Sequence, residues 1–556
     1  MRIQTARFFA LATILVLPSV SLFAQQDWEE GELESVQIEI VNARQIELPP
    51  ANRNFEKIPP RPAEVIRAPM HYDFRPFSFQ TAQINPLLRP LRIKEMQPSR
   101  IFAGHISAGY GNYASPYLEG FINSRRNKSR LVGAHFYHLS SGEGPVDGKN
   151  SANGTSGVGL YARSFTKTVM FEGDLEFENR ATHFYGYVPG TIVEEGDIRQ
   201  AYNNFRVSAG LSNTQRTDLS YDFGAGFSYM ADRFDAKETE VDLKFGSRYT
   251  INPNSSIGLE ADYTLISRTD ALVEGTPRSL LTVNPSFVFY PVESLRMSAG
   301  IVAAFENDSI DDRAVHAYPD IRVSYPLSPS VDVIASLTGG VEKVSLQTLS
   351  RENIWIDANI PVYHTNKLYD LQAALHSRIG NKVSVNGGFS FAALKNWYFL
   401  VNDSLERSKF TPEYDMGATL RTNLFASLGF AQAEAAKFLL RADIYNYNTD
   451  ESEEAWHRPA YKLTGDMHFS IYKKLLLDIN VIAQGGAKAK LPTTGTAFDT
   501  VELDPALDLN ARVEYIVSDS FSLFVQANNI TSNRYPVFLN YPVRGLQILG
   551  GLSVRF

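Results

Sequence analysis

Apolar and polar residues alternate in short runs along most of the chain, most clearly near its C-terminus. In residues 507–515 the odd positions are Leu, Leu, Ala, Val and Tyr, whereas the even positions are Asp, Asn, Arg and Glu. Successive side chains of a β-strand point to opposite faces, so this run forms one apolar row and one polar row. Residues 461–471 and 475–484 repeat the pattern. The alternation predicts a sheet with an apolar face and a polar face.

From about residue 100 onward, such segments follow one another in a long meander of about 22 strands, which predicts an all-β chain. The predicted strands are 100–112, 116–125, 129–139, 156–166, 168–186, 202–212, 219–230, 238–250, 256–267, 279–291, 295–305, 314–325, 331–342, 368–379, 382–400, 413–430, 436–447, 460–472, 475–485, 505–517, 521–530 and 545–556. An even number of antiparallel strands is what a closed barrel requires.

The connections between these segments alternate in length. Every second connection is a tight turn such as 518–520, whereas most of the others are long and polar, such as 142–154, 345–367 and 486–504. Outer-membrane barrels have short periplasmic turns and longer outer loops. The sequence therefore predicts an antiparallel transmembrane β-barrel over residues 100–556, in the bacterial outer membrane.

The polar rows of the predicted barrel are expected to line its lumen, because a charge facing lipid near the bilayer centre costs about 2–4 kcal/mol. Outer-membrane lipids are expected to cover the apolar rows. The candidate lumen-lining residues are Lys462, Asp466, His468, Asp478, Asn480, Asp508, Asn510, Arg512, Glu514 and Arg555.

The last twelve residues form an alternating strand that ends on an aromatic residue. We expect this strand to pair with the first strand and close the barrel, which removes the open sheet edge. The same strand is expected to be recognised by the barrel-assembly machinery. Its apolar row comprises Leu546, Ile548, Leu552, Val554 and Phe556.

Two predicted segments precede the barrel. Residues 1–24 have two early arginines, an apolar stretch and a small residue at Ala24, which is typical of a secretory signal peptide. Residues 25–99 are rich in proline, which favours extended backbone, and are predicted to form a periplasmic arm or a remnant plug. Within this arm, residues 33–40 alternate like a strand that adds to a sheet edge, although a disordered linker explains them equally well.

The composition of the chain excludes several classes of chemistry and partner. The chain has 27 Tyr, 35 Phe and no Cys, so disulfides, thiol catalysis and zinc–thiolate sites are excluded. A net charge of −8 without a basic stripe argues against nucleic-acid binding. Beyond residue 25 no apolar run approaches the length of a spanning helix.

The C-terminal third resembles the closing strands of TonB-dependent outer-membrane receptors. The resemblance is carried by residues 461–463, 507–510, 513–515, 521–525, 528–535 and 541–542 and by the terminal Phe556. It implies a barrel of about 22 strands and a transport role. The other end departs from that family, because the Pro-rich stretch 25–99 has about half the length of the family's plug and carries no plug signature.

Other chemistry receives weaker support. His105 and Ser107 lie on one face of a predicted strand, as a base and a nucleophile would, but lumen-facing polar residues explain them as well. His135 and His138 are predicted on opposite faces, so they cannot share a metal ion. The acidic stretches 308–312 and 450–454 fit either calcium ligands or solvated loops.

The sequence thus predicts a non-enzymatic barrel without cofactor or metal. It is predicted to pass a small solute or nutrient through a polar lumen that the loops or the N-terminal arm gate. The alternative is a structural subunit of a larger outer-membrane assembly, in which the arm or the outer loops dock periplasmic or surface proteins.

Overall fold

The computed structural model describes residues 102–556, apart from 125–126, 189, 216, 273–274, 309–312 and 494–496. The predicted signal peptide at 1–24 and the arm at 25–99 lie outside the described residues.

Nearly all of the described secondary structure is β. The strands are β1 (Gly104–Gly111), β2 (Ser115–Asn123), β3 (Arg130–Ser141), β4 (Asn153–Phe165), β5 (Val169–His183), β6 (Arg199–Asn213), β7 (Leu219–Ala231), β8 (Lys237–Asn252), β9 (Ser255–Thr269), β10 (Arg278–Val292), β11 (Leu295–Glu306), β12 (Val315–Ser328), β13 (Val331–Glu342), β14 (Thr365–Ile379), β15 (Val383–Asn402), β16 (Phe410–Gln432), β17 (Ala436–Asn448), β18 (Tyr461–Ile471), β19 (Leu475–Gly485), β20 (Lys488–Pro492), β21 (Phe498–Glu502), β22 (Ala506–Ser518), β23 (Phe521–Asn528), β24 (Pro536–Phe538), β25 (Tyr541–Pro542) and β26 (Gln547–Arg555).

Among the described residues, three short helices accompany the strands. They are the 3₁₀ turn Gly148–Ser151, the α-helix α1 (Glu195–Ile198) and the α-helix α2 (Leu346–Glu352). No helix among the described residues is both long and apolar enough to cross a membrane.

The strands form one closed antiparallel sheet of 22 strands. Each strand pairs with the next barrel strand in the chain, and β26 pairs with β1, for example through Val554 opposite Ile106. The two remaining strand pairs, β20–β21 and β24–β25, are separate hairpins. The closed 22-stranded barrel predicted from the alternation is confirmed, and every predicted strand overlaps one barrel strand.

The wall exposes apolar residues on one face and buries polar or aromatic residues on the other. In β23, Leu523 and Val525 are 47% and 54% exposed, whereas the intervening Phe524 is 2% exposed. In β26, Leu552 and Val554 are exposed and Ser553 is fully buried. A soluble protein would cover so extensive an apolar surface, so this face suits contact with hydrocarbon.

Candidate functional site

The β15–β16 hairpin leaves the barrel wall near its outer end. Asn396 has a φ of 52°, and the register shifts there, because Lys395 pairs with Ala418 whereas Trp397 pairs with Asp415. Extra residues on one strand bend a hairpin at such a bulge. Every residue of 397–402 is buried, on both faces of the strand. Residues 396–416 are therefore called the bent hairpin.

The connection between β13 and β14, residues 343–364, is the second element of the site and is called the crossing segment. It contains α2, whose start is specified locally: the Ser345 side chain accepts the Thr348 N–H at 3.2 Å. The Glu238 carboxylate of β8 accepts the N–H groups of Leu346 and Gln347, each at 2.8 Å. These bonds satisfy donors that the first turn of a helix leaves without partners.

The crossing segment joins two distant parts of the barrel. On one side, Arg180 of β5 donates to the Ser350 carbonyl at 3.0 Å, and Arg351 lies 3.8 Å from Glu178. On the other side, Tyr398 of the bent hairpin donates to Glu352 at 2.5 Å. Strands β5 and β15 are ten strands apart in one direction and twelve in the other. The segment and the hairpin together therefore cross the inside of the cylinder.

A charged cluster fixes both ends of the crossing segment. Arg278 of β10 forms two hydrogen bonds to Asp308, at 2.6 and 2.8 Å, and Asp308 also accepts the backbone N–H of His364 at 3.0 Å. The Nδ1 atom of His364 accepts the N–H of Val344 at 3.1 Å. Val344 and His364 stand at opposite ends of the segment, so this cluster closes the loop at its base.

Burial and charge set the protonation of this cluster. Burial would raise the pKa of Asp308, but the Arg278 hydrogen bond and the nearby His364 hold that pKa below its usual value. Burial and the adjacent Arg278 charge lower the pKa of His364 to about 4. At neutral pH the imidazole is therefore neutral and able to accept a hydrogen bond.

Further polar contacts tie the segment to the wall. Lys343 lies 2.9 Å from Glu240 and 3.4 Å from Asp242 of β8. Arg268 of β9 donates to the Ile360 carbonyl at 2.6 Å and pairs with Asp270. Polar anchors thus hold the segment along the β5–β10 side of the barrel.

The crossing segment also packs in one apolar cluster with residues of both sides, such as Tyr185 and Met230 near β5–β7 and Leu400 and Phe410 of the bent hairpin. The rings of Trp355 and Tyr541 are 4.0 Å apart, and the backbones of Ile356 and Phe410 form a parallel β-bridge. The place where the crossing segment meets the bent hairpin is called the closure. Its buried cluster comprises Tyr185, Tyr202, Met230, Ala236, Val344, Leu346, Leu349, Ile356, Ile360, Val362, Tyr398, Leu400, Phe410, Phe538 and Tyr541. The closure is packed like the core of a soluble domain.

The sequence pattern predicted gating by loops or the arm but did not identify this segment. Residues 345–367 were predicted as a long polar outer loop, and β15 was predicted without a bend. A signal was nevertheless present, because the loop contains Leu346, Leu349, Ile356, Ile360 and Val362, all of which are buried. Apolar residues in an outer loop are a reason to expect that the loop folds onto something.

The predicted lumen-lining residues form side-chain contacts within and between strands β18, β19, β22 and β26, and one contact with Tyr535. The pairs are His468–Asp478 at 2.6 Å, Asp466–Asn480 at 2.8 Å, Asn480–Asn510 at 3.3 Å, Arg512–Glu514 at 3.5 Å, Arg555–Glu514 at 3.4 Å and Asp508–Tyr535 at 3.0 Å. Lys462 stands opposite Asp443 and Gln484 in the sheet register.

The residues predicted for the closing strand lie in β26 or directly beside it. Ile548, Leu552 and Val554 belong to β26 and are exposed, whereas Leu546 directly precedes this strand and Phe556 directly follows it. The N–H of Phe556 donates to the Gly104 carbonyl at 3.0 Å, which continues the seam with β1.

The residues considered above for catalysis or metal binding make contacts that account for their presence. His105 Nε2 lies 3.0 Å from Ser107 Oγ, but Ser107 is 1% exposed and also contacts the Ser553 hydroxyl at 2.7 Å, so no substrate reaches it. Glu453 and Glu454 of the acidic loop pair with Lys490 and Lys488. In the described part of the chain, no three His, Asp or Glu side chains converge as metal ligands would.

Neither a scan of known protein families nor a comparison with curated proteins found a match. Solved structures do match. The siderophore receptor PirA from Acinetobacter baumannii has a TM-score of 0.64 at 8% identity, over 83% of this chain and 81% of that chain. The ferric-catecholate import receptor Fiu from E. coli K12 has a TM-score of 0.61 at 8% identity, over 83% and 82%. The FrpB iron transporter from Neisseria meningitidis has a TM-score of 0.62 at 8% identity, over 82% of each chain.

At these identities the likeness establishes the fold. The predicted resemblance to the barrels of TonB-dependent receptors is confirmed at that level, and the matched proteins are receptors and transporters rather than enzymes. A closed 22-stranded cylinder of this kind with an apolar outer surface is an integral protein of the bacterial outer membrane.

Proposed function

We propose that this receptor-type barrel passes a small solute or nutrient through its lumen and that the crossing segment is its gate. The observation that carries the proposal is the simultaneous contact of Arg351 with Glu178 on β5 and of Glu352 with Tyr398 of the bent hairpin. A segment held between distant walls obstructs the passage, and its displacement would open it.

The polar rows of β18, β19, β22 and β26 support a passage for a hydrated solute. We propose that Lys462, Asp466, His468 and the other predicted lumen-lining residues face this passage. His468 and Asp478 keep side-chain exposures of 38% and 51% although they pair with each other. Charges of both signs within a wet wall favour a polar solute over an apolar one.

The two sides of the closure suggest how the gate moves. The β5–β10 wall holds the segment through side-chain hydrogen bonds and ion pairs, whereas the bent hairpin holds it through backbone hydrogen bonds between Phe410 and residues 355 and 357. Apolar residues of both sides share one buried cluster. Water can replace the polar side-chain partners on the wall side. We therefore propose that the crossing segment releases the β5–β10 wall and stays with the bent hairpin.

Conductance in a planar bilayer tests the gate. The purified chain is compared with a variant in which residues 346–358 are replaced by a short Gly-Ser linker. A shortened β20–β21 tip, with residues 493–497 replaced by Gly-Gly, serves as the control. We expect a low-conductance parent and control and a highly conducting gate variant. A gate variant as silent as the parent would refute the proposal.

A structural role is the second candidate, favoured by the apolar packing of the closure. Phe410, Leu349 and Tyr541 are completely buried there, which fits a permanent seal. In that case the barrel would anchor a larger assembly, and its loops or arm would dock surface or periplasmic proteins. Mild detergent extraction would then recover stoichiometric partners, whereas recovery of the lone chain would count against this role.

A further inference from the structure

A small pocket lies apart from the gate, at the outer end of the seam where the barrel closes. It has a volume of about 130 Å³ and lies among the ends of β1, β3, β4, β23 and β26 and the connection before β26. Its lining is rich in amides and hydroxyls, including Asn112, Ser141, Asn153, Thr155 and Gln547. Such groups bind small polar ligands.

Arg544 gives this pocket its charge. Its guanidinium donates from Nε to the Glu143 carbonyl at 3.0 Å and from Nη2 to the Asn153 amide oxygen at 2.9 Å. Both acceptors are neutral, and within the described residues Arg544 forms no ion pair with a carboxylate. Burial lowers the pKa of Arg544, and the nearby phenols of Tyr185 and Tyr113 act in the opposite direction.

A second arginine stands close by. A Cβ atom placed on Gly545 would lie 3.8 Å from Nε of Arg534 and 3.7 Å from the hydroxyl of Tyr113. The guanidinium of Arg544 also lies 5.9 Å from the centre of the Tyr113 ring. Arg534 and Tyr113 thus lie near residues 544–545, and of these groups Arg544 lines the pocket.

We propose that this pocket binds the oxyanion of a small solute, a phosphate or carboxylate group, through Arg544. A guanidinium offers planar paired donors that match both groups. Its neutral contacts leave the positive charge uncompensated, and a bound anion would neutralise it. The site does not depend on the proposed gate, because binding can be measured without any flux.

The pocket draws its lining from both faces of the barrel wall. Gln547 and Leu549 lie on the same face of β26 as Ser553 and Arg555, since these positions differ by even numbers. Ile548 also lines the pocket and lies on the opposite face, where it is exposed like Leu552 and Val554. The pocket therefore lies at the end of the wall and is not confined to its lipid-facing side.

Calorimetric titration of the full chain in detergent with inorganic phosphate tests the site. We expect saturable binding by the parent and at least about tenfold weaker binding by Arg544→Gln, because charged hydrogen bonds are lost. Arg544→Lys should be intermediate, since it keeps the charge but loses the paired donors. Arg407→Gln, at an exposed arginine of the bent hairpin, should bind like the parent.

The migration of unheated samples in SDS gels shows whether each variant retains the folded barrel. Displacement of phosphate by acetate would extend the ligand class to carboxylates, and its failure would restrict the site to phosphate. Absence of saturable phosphate binding by the parent overturns the proposal, as does binding by a folded Arg544→Gln variant that equals the parent.

Discussion

The Glu238 carboxylate accepts the backbone N–H of Gln347 at 2.8 Å, so a residue of the β8 wall caps a helix in the crossing segment. Glu238 is 2% exposed, and its second oxygen accepts the N–H of Leu346. This contact links the barrel wall to the proposed gate over a sequence separation of 109 residues.

Removal of this cap should loosen the gate. Glu238→Ala leaves the N–H groups of Leu346 and Gln347 without acceptors, at a cost of about 1–3 kcal/mol. We expect a higher open probability in single-channel recordings while the barrel remains folded. Glu260→Ala is the matched control, because Glu260 is an exposed carboxylate on β9. Equal open probabilities for the two variants would contradict the assigned role.

The charged cluster at the base of the crossing segment should be sensitive to loss of one partner. Arg278→Ala leaves the buried Asp308 without its main partner, which typically costs about 3–5 kcal/mol. Trypsin should then cleave faster after Arg351 in the loosened segment, as mass spectrometry of the fragments would show. Arg313→Ala on the neighbouring connection serves as the control. An unchanged cleavage rate in Arg278→Ala would show that the cluster does not hold the segment.

Acid should release the same cluster. The pKa of His364 falls from 6.5 to about 4 on folding, which corresponds to on the order of 3 kcal/mol. Because the folded pKa is the lower one, this contribution is complete above pH 6.5 and is lost as the pH falls through 4. The lowered pKa of Asp308 acts in the same direction. We expect trypsin to cleave faster after Arg351 during a brief exposure to pH 4. The reaction is then quenched, and the rate is corrected for the activity of trypsin at that pH.

The variant His364→Gln separates the imidazole from other acid-sensitive groups. Its amide oxygen can accept the N–H of Val344 without titrating. The acid response should shrink in this variant, and a response equal to that of the parent would assign the effect to other groups.

Two adjacent glycines provide a test of barrel closure. A Cβ atom on Gly551 would lie 2.3 Å from the Ala108 carbonyl of β1, whereas one on Gly550 would meet no atom within 4 Å. Gly551→Ala should therefore separate β26 from β1 and destabilise the barrel by roughly 1–3 kcal/mol. The temperature at which the folded band disappears from SDS gels should fall for Gly551→Ala and stay unchanged for Gly550→Ala. Equal temperatures for the two variants would refute this account of the seam.

The barrel itself was predictable because its signal is local. Alternation in residues 507–515 specifies a strand with two different faces, and the tight turn at 518–520 specifies its antiparallel neighbour. Repetition of these two rules along the chain yields the closed sheet, with strand ends within a few residues of the observed ones.

The gate was not predictable in the same way. The pairing of Ile356 with Phe410 and the contact of Arg180 with Ser350 join residues that no periodicity relates. The bend at Asn396 depends on a positive φ that asparagine tolerates but does not require. These features follow from the shape of the completed cylinder, which the local pattern does not encode.

The closure at the mouth draws on β5, on the bent hairpin and on Tyr541, close to the C-terminus. Tyr541 belongs to the short hairpin directly before β26, so we expect it to reach the closure only as β26 joins β1. An immature barrel would accordingly stay permeable until its final hairpin is in place. Completion of the closure would then be the last step of assembly, and permeability would distinguish immature barrels from mature ones.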